Sequence, residues 1–190
     1  MVKLNKIYTR TGDAGETGLV DGSRVAKSAP LMAAIGDVDE ANSAIGLALR
    51  QVEDDGLRAM LGRIQNELFD LGADIATPGD DFTPNEMTLR IVQLQIDRLE
   101  REIDRMNDAL EPLKSFILPA GPAGAAQLHL ARTIVRRAER SAIAANREVP
   151  LNPLALIYLN RLSDLLFVAA RYVAASGGGE VLWQPGATRT

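Results

Sequence analysis

Arg132, Arg136, Arg137, Glu139 and Arg140 stand together in the short stretch "RTIVRRAER" of a chain whose formal charge is -4. At ~100° of helix per residue, Arg132, Arg136, Glu139 and Arg140 fall within one arc of about 100°, with Arg137 at its edge. Ile134, Val135, Ala138 and Ala142 lie opposite. Like charges on one helix face repel one another unless an anion or carboxylates lie nearby. The planar guanidinium fork suits paired contacts to phosphate oxygens, so the pattern points to a polyanionic ligand. The chain uses 17 Arg against 4 Lys. Arginine is therefore its default base, and an ordinary solvated face has the same composition.

A second group precedes the first apolar stripe. "YTRTGDAGETGLVDGSRVAKS" places glycines at 12, 15, 18 and 22 among threonines, acids, arginines and Lys27, with no helical period. Such a segment can wrap backbone N–H groups and hydroxyls around an anion. It lacks the G-x-x-x-x-G-K-[ST] spacing of the ordinary phosphate loop, and the same composition suits a hydrophilic arm. Further along, Asn160, Asp164 and Arg171 share one line, suited either to a ligand or to contacts between helices. Asp39 borders an apolar stripe, where a carboxylate requires a cation if it is buried; otherwise it is an exposed rim acid. His129, between Leu128 and Leu130, reads as a packing residue, and Trp183 as a cap over the end of the molecule or a pocket wall.

Five helical patterns must position these groups. The first runs from Pro30 through "LMAAIGDVDEANSAIGLALRQV", with Leu31, Ala34, Ile35, Val38, Ala41, Ile45, Ala48 and Leu49 at three-four spacing. Leu57, Met60, Leu61, Ile64, Leu68, Leu71 and Ile75 form the second. "TPNE" suggests a capped start to the third, with Thr83 as N-cap and Glu86 three residues on. Met87, Ile91, Leu94, Leu99, Ile103 and Met106 would form its stripe. The fourth follows "FILPAGPAG" and runs to about Asn146; the fifth fills "LALIYLNRLSDLLFVAARYVAAS" and closes on Gly177–Gly179. The expected fold is all-α, a helix bundle in one domain over 1–190: an N-terminal loop to 29, a bundle over 30–176 and a tail over 177–190.

Composition narrows the chemistry. Hydrophobic residues make up 46% but aromatics only 4%, so the core is aliphatic. The absence of cysteine removes disulfides, thiolate ligation and thiol nucleophiles, and a single histidine argues against a protein-held metal. No apolar run approaches the roughly 20 residues of a membrane span, and "MVKLNKIYTRTGDAGETG" contains no apolar h-region. A cytoplasmic protein without nucleic-acid or membrane partners is expected.

Six blocks, "KIYTRTGDAGETGL", "RVAKS", "IGDVDEANSAIG", "FILPAG", "ARTIVRRAER" and "YLNRLSDLLFVAAR", in this order over nearly the whole chain, resemble the PduO-type ATP:cob(I)alamin adenosyltransferases. The resemblance implies a ferritin-like five-helix bundle assembled as a homotrimer, with ATP at subunit interfaces and the corrinoid beside it. It implies transfer of the 5′-deoxyadenosyl group of ATP to reduced cobalt, giving adenosylcobalamin and triphosphate, with Mg2+ held mainly by phosphate oxygens. By the same resemblance the nucleotide loop falls on Thr9, Arg10, Thr11, Gly12, Asp13 and Thr17, with Lys27 as a phosphate contact. The signature of the fourth helix falls on Arg132, Arg136, Arg137, Glu139 and Arg140, and the amide of the fifth on Asn160. Glu139 would orient an arginine or contact the nucleotide. Asp39 would pair with Arg132 across the subunit interface. Phe116 matches the aromatic that covers the lower face of cobalamin and keeps dimethylbenzimidazole off cobalt. The family often carries a second glycine where Ala120 stands, so the loop after Phe116 has its own shape. A corrinoid reductase and a B12-dependent acceptor enzyme are the implied protein partners, and the alternative function is a carrier of ATP or adenosylcobalamin.

Overall fold

A computed structural model describes residues 7–86 and 88–189. Five helices form the bundle: α1 Pro30–Leu49, α2 Asp55–Ile75, α3 Gln93–Asn107, α4 Ala123–Ala145 and α5 Pro153–Ser176. α1 packs on α2 and α4, α4 on α5, and α5 on α3. Pro30 opens α1 at a position where its missing N–H costs nothing. The Asp54 carboxylate accepts from the Leu57 N–H (2.6 Å) to cap α2, and the Asn152 side chain accepts from the Leu154 N–H (3.0 Å) to cap α5.

The core is aliphatic, as composition requires. Leu31, Val38 and Ile45 of α1 meet Leu61, Ile64, Leu68 and Leu71 of α2, with Leu128, Val135 and Ala138 of α4 and Leu159, Leu162 and Leu166 of α5 in the same cluster. Each fully buried Leu, Ile or Val contributes about 1.5–3 kcal/mol of transfer free energy. α5 is apolar around most of its circumference: Ala155, Tyr158, Leu159, Leu162, Leu165, Leu166, Val168, Ala169 and Ala170 are all buried, as for a helix inside a bundle. By length and composition its 24 residues would also suffice to cross a membrane, which the sequence reading did not anticipate. In the fold that apolar surface is covered largely by α3 and α4.

The start of the third helix differs from expectation. Thr83 caps nothing; the described part of 80–92 is irregular, with an isolated bridge between Asn85 and Thr88, and α3 begins only at Gln93. Met87 lies outside the described residues. The cause is a buried ionic latch. Arg90 Nη1 donates to the Asp74 carboxylate (2.8 Å), to its carbonyl (2.9 Å) and to the Thr77 carbonyl (3.2 Å), while Nη2 donates to the Asp81 carbonyl (3.1 Å). Asp74 also accepts from the Ile91 N–H (2.8 Å) and from Asn152 Nδ2 (2.7 Å). These bonds hold the backbone extended through Ile91, which reaches the core from a loop. Gln95 then accepts from the Val92 N–H (2.9 Å) and starts the helix. Leu94, expected inside, is 59% exposed.

The N-terminal segment contains a small antiparallel hairpin, β1 Glu16–Gly18 and β2 Arg24–Ala26, with Thr17 opposite Val25. It is tied to the bundle by the Val20 N–H, which donates to the Ala76 carbonyl (3.3 Å), and by Leu19 against the core.

Candidate functional site

The polar face of α4 divides into three. On one flank Arg137 turns back to α1, paired with Glu40 and with Asp37 (3.3 Å), whose carboxylate also accepts from Ser141 Oγ (2.5 Å). The Glu40 hydrogen bond is the chief reason the Arg137 guanidinium holds its proton above its ordinary range. On the other flank Glu139 accepts from Asn160 Nδ2 of α5 (2.9 Å). Between the flanks stand Arg132, Arg136 and Arg140. Arg140 donates to the Arg136 carbonyl (3.0 Å), and Arg136 is exposed.

Among the described residues none of the three pairs with a carboxylate, and Arg132 differs from the other two in its burial. It is half-buried, its Nε is buried with no hydrogen-bond partner, and its guanidinium lies 5.9 Å from the Phe167 ring centroid. Burial first, and the Arg136 charge second, disfavour its protonated form. A buried cation without a carboxylate is costly. Asp39 is exposed and meets no partner among the described residues of its own chain, so the Asp39–Arg132 pair is not formed within one chain.

The glycine-rich loop is ordered by its own contacts. Arg24 Nη2 donates to the Thr11 carbonyl (2.9 Å) and Nε pairs with Glu16 (3.3 Å). The Thr9 and Thr11 hydroxyls are hydrogen-bonded at 2.8 Å, and the Lys27 N–H donates to the Gly15 carbonyl (2.8 Å). Lys27 Nζ lies so close to Gly12 that an added Cβ there would sit 3.0 Å from it. Glycine at 12 thus lets the ammonium lie against the turn. Arg10 adopts φ 63°, a strained conformation for a non-glycine residue. Asp13 is exposed and Thr17 lies half-buried in β1. Among the described residues no hydrogen bond or ion pair joins this loop to Arg132, Arg136 or Arg140 of the same chain.

Phe116 lies between α3 and α4 and is 77% exposed. Trp183 is 45% exposed, and its ring meets Phe116 edge-on at 5.9 Å. The helix-five line also resolves differently from its spacing. Asp164 pairs with Arg161 (3.2 Å), and Arg171 is buried against the tail. His129 is a buried packing residue beside Phe167, and burial is the chief reason its imidazole stays neutral below its ordinary range. Sequence reasoning missed the Trp183–Phe116 pairing and the tail's hold on Arg171; their partners are far apart in the chain and no local period marks them. A cavity of about 710 Å³ opens between Gln51, Asp54, Leu110, Gly124, Tyr172 and Ser176, and none of the α4 arginines lines it. Among the described residues no cluster of three or more His, Asp or Glu could cage a metal.

Comparison with known proteins bears on the fold and the family. The family model described as cobalamin adenosyltransferase matches residues 7–173. The corrinoid adenosyltransferase of Mycobacterium tuberculosis (strain ATCC 25618 / H37Rv) is 53% identical over 192 residues, covering 100% of this chain and 98% of that protein. The cobalamin adenosyltransferase of Cupriavidus metallidurans is 49% identical over 96% of each chain. A phenylalanine-to-histidine variant of the PduO-type ATP:corrinoid adenosyltransferase from Lactobacillus reuteri, solved with cobalamin and ATP, superposes with a TM-score of 0.86 at 39% identity, over 95% of this chain and 97% of that one. A five-helix bundle with a basic fourth helix and a glycine-rich loop is thus the frame of a group transferase, and the chain belongs to the cobalamin adenosyltransferase family. Within that family it is a PduO-type ATP:corrinoid adenosyltransferase.

Proposed function

We propose that this chain moves the 5′-deoxyadenosyl group of ATP onto cob(I)alamin at a site completed between subunits of a homotrimer. The observation that carries the reading is Arg132, half-buried with no carboxylate partner among the described residues of its own chain, next to the exposed Arg136. Asp39 of a neighbouring chain would supply the missing partner, and the glycine-rich loop of that neighbour would bring its amides, Thr9, Thr11 and Lys27 to the nucleotide.

In the reaction the cobalt electron pair attacks C5′, the Co–C bond forms, and the C5′–O bond breaks with its electrons leaving on triphosphate. The corrinoid is itself the nucleophile, so no protein thiol, hydroxyl or general base is needed. What the protein contributes is alignment of the reacting atoms and positive charge where the triphosphate departs. Arg132, Arg136 and the neighbouring chain's Lys27 would serve the second task, with the amide of Asn160, bonded to Glu139, as a further contact. Arg137, occupied by Asp37 and Glu40, acts by holding α4 against α1. Mg2+ arrives as part of the nucleotide, held by phosphate oxygens and water. Phe116 supplies an apolar surface under the corrin that excludes both the lower ligand and water, making reduction of Co(II) easier.

The test is anaerobic. Protein, Mg-ATP and chemically reduced cob(I)alamin are mixed, and the loss of the cob(I)alamin band is followed with the growth of light-sensitive adenosylcobalamin. Light scattering gives the mass of the assembly. Multiple turnovers by a species of three chains are expected. Binding of ATP without turnover would favour the carrier role instead, and a monomer that turns over would sink the intersubunit site.

A further inference from the structure

Phe116 is held by a ribbon that joins two distant parts of the chain. The Leu118 N–H donates to the Val181 carbonyl (2.8 Å) and the Trp183 N–H to the Phe116 carbonyl (2.8 Å), while Ser115 Oγ donates to the Trp183 carbonyl (3.0 Å). Ile117 lies opposite Leu182 in an antiparallel bridge. A two-stranded piece this short is not stable alone in water, so the bundle must hold it.

Arg171 of α5 does so. Its side chain is 6% exposed; Nε donates to Glu180 Oε1 at 2.6 Å and Nη2 donates to the Glu111 carbonyl at 2.7 Å. Each leg of the ribbon is thus tied to a different nitrogen of one planar group. A lysine ammonium is a point charge without that fork. Where the legs leave the bundle they touch: a Cβ at Gly177 would lie 2.7 Å from Pro122 Cγ. At the far end the rings of Trp183 and Phe116 meet edge to face, 62° apart in plane.

We propose that Arg171, with Glu180 and Trp183, is a positioning assembly for Phe116. The guanidinium sets the height and register of the ribbon, and the indole sets the ring, so that Phe116 meets the corrinoid's lower face at one distance. The proposal rests on reading Phe116 as the lower-face aromatic. A tail that merely closes the bundle would contribute to stability without favouring one step of the reaction over another.

The experiment uses the full chain with Phe116→Ala, Arg171→Lys, Glu180→Ala and Trp183→Leu. Adenosylcobalamin formation is measured by two routes, from cob(II)alamin with a reductant and from cob(I)alamin reduced beforehand. The electron paramagnetic resonance spectrum of bound cob(II)alamin with ATP reports the fraction of cobalt lacking a lower ligand. Phe116→Ala is expected to slow the cob(II)alamin route on the order of tenfold more than the other. Arg171→Lys, Glu180→Ala and Trp183→Leu should show the same selectivity at a few-fold and lower the ligand-free fraction. The double variant of Phe116→Ala with Glu180→Ala should be no worse than Phe116→Ala alone, since the two act through one ring. If Phe116→Ala slows both routes equally, the reading of Phe116 fails and takes the proposal with it. If Phe116→Ala is selective while Glu180→Ala and Trp183→Leu leave the ratio and the spectrum unchanged, the positioning assembly is overturned. Should Arg171→Lys not fold, the two tail variants decide the matter.

Discussion

Arg90 is buried and Arg132 half-buried, and they are held in opposite ways. The terminal nitrogens of Arg90 face the Asp74 carboxylate and three backbone carbonyls, with the Phe82 ring 5.3 Å away. Arg132 has an aromatic ring and a second arginine beside it and no carboxylate. The first arrangement is complete within the chain and fixes the loop that leads into α3. The second is incomplete within the chain, and a folded protein tolerates an incomplete buried charge where something from outside finishes it. Partnering, more than burial, separates an arginine that builds the fold from one left open to a partner outside its own chain.

That contrast can be broken at three points. Arg90→Met leaves Asp74 buried without its cation and should cost about 3–5 kcal/mol in denaturant unfolding, with the Mg-ATP-induced rise in melting temperature retained by the folded protein. Arg136→Ala should do the reverse. Stability should stay within about 0.5 kcal/mol, while kcat/KM falls about 10²-fold and the Mg-ATP shift is lost. If Arg136→Ala unfolds the protein as Arg90→Met does, the distinction fails. The smallest effect concerns His129, whose imidazole is kept neutral by burial and by the nearby Arg132 charge, against a weaker pull from Glu180. The unfolded chain binds a proton near its ordinary value of 6.5 that the folded chain takes up only at lower pH. Its stabilising contribution is therefore full above 6.5 and lost as pH falls through the lower folded value. His129→Gln should flatten the stability curve below pH 6.5; an unchanged slope in urea titrations would mean that the imidazole protonates freely in the fold.

Much of the bundle was legible because helix faces repeat locally. The apolar stripes of α1, α2, α4 and α5 lie where three-four spacing puts them, and Gly177 ends α5 as expected. The start of α3 was not legible. "TPNE" has the letters of a cap, but Arg90 and Asp74 outcompete it from sixteen residues apart. In the site, the crowding of arginines on α4 was visible in the sequence, and their division was not. Arg137 answers to Asp37 and Glu40 of α1, and Glu139 to Asn160 of α5. The hairpin around Thr17 escaped notice because two strands of three residues carry too few alternations to stand out. Arg171 was grouped with Asn160 by spacing alone, although the end of α5 is covered by a tail that no periodicity announces.

The position of α5 also bears on how the protein is made. It emerges from the ribosome after the other four helices, and both α3 and α4 pack on it. Until residues 153–176 are free of the ribosome, α3 lacks its main packing surface and α4 has only one of its two, so much of the apolar face that α5 will cover stays open. Closure of the bundle then depends on contacts of large sequence separation, the kind that fold slowly and leave partly built chains prone to association. The helix that gives the finished protein its centre is the last to be made, and until it is free the faces of α3 and α4 that it covers stay open.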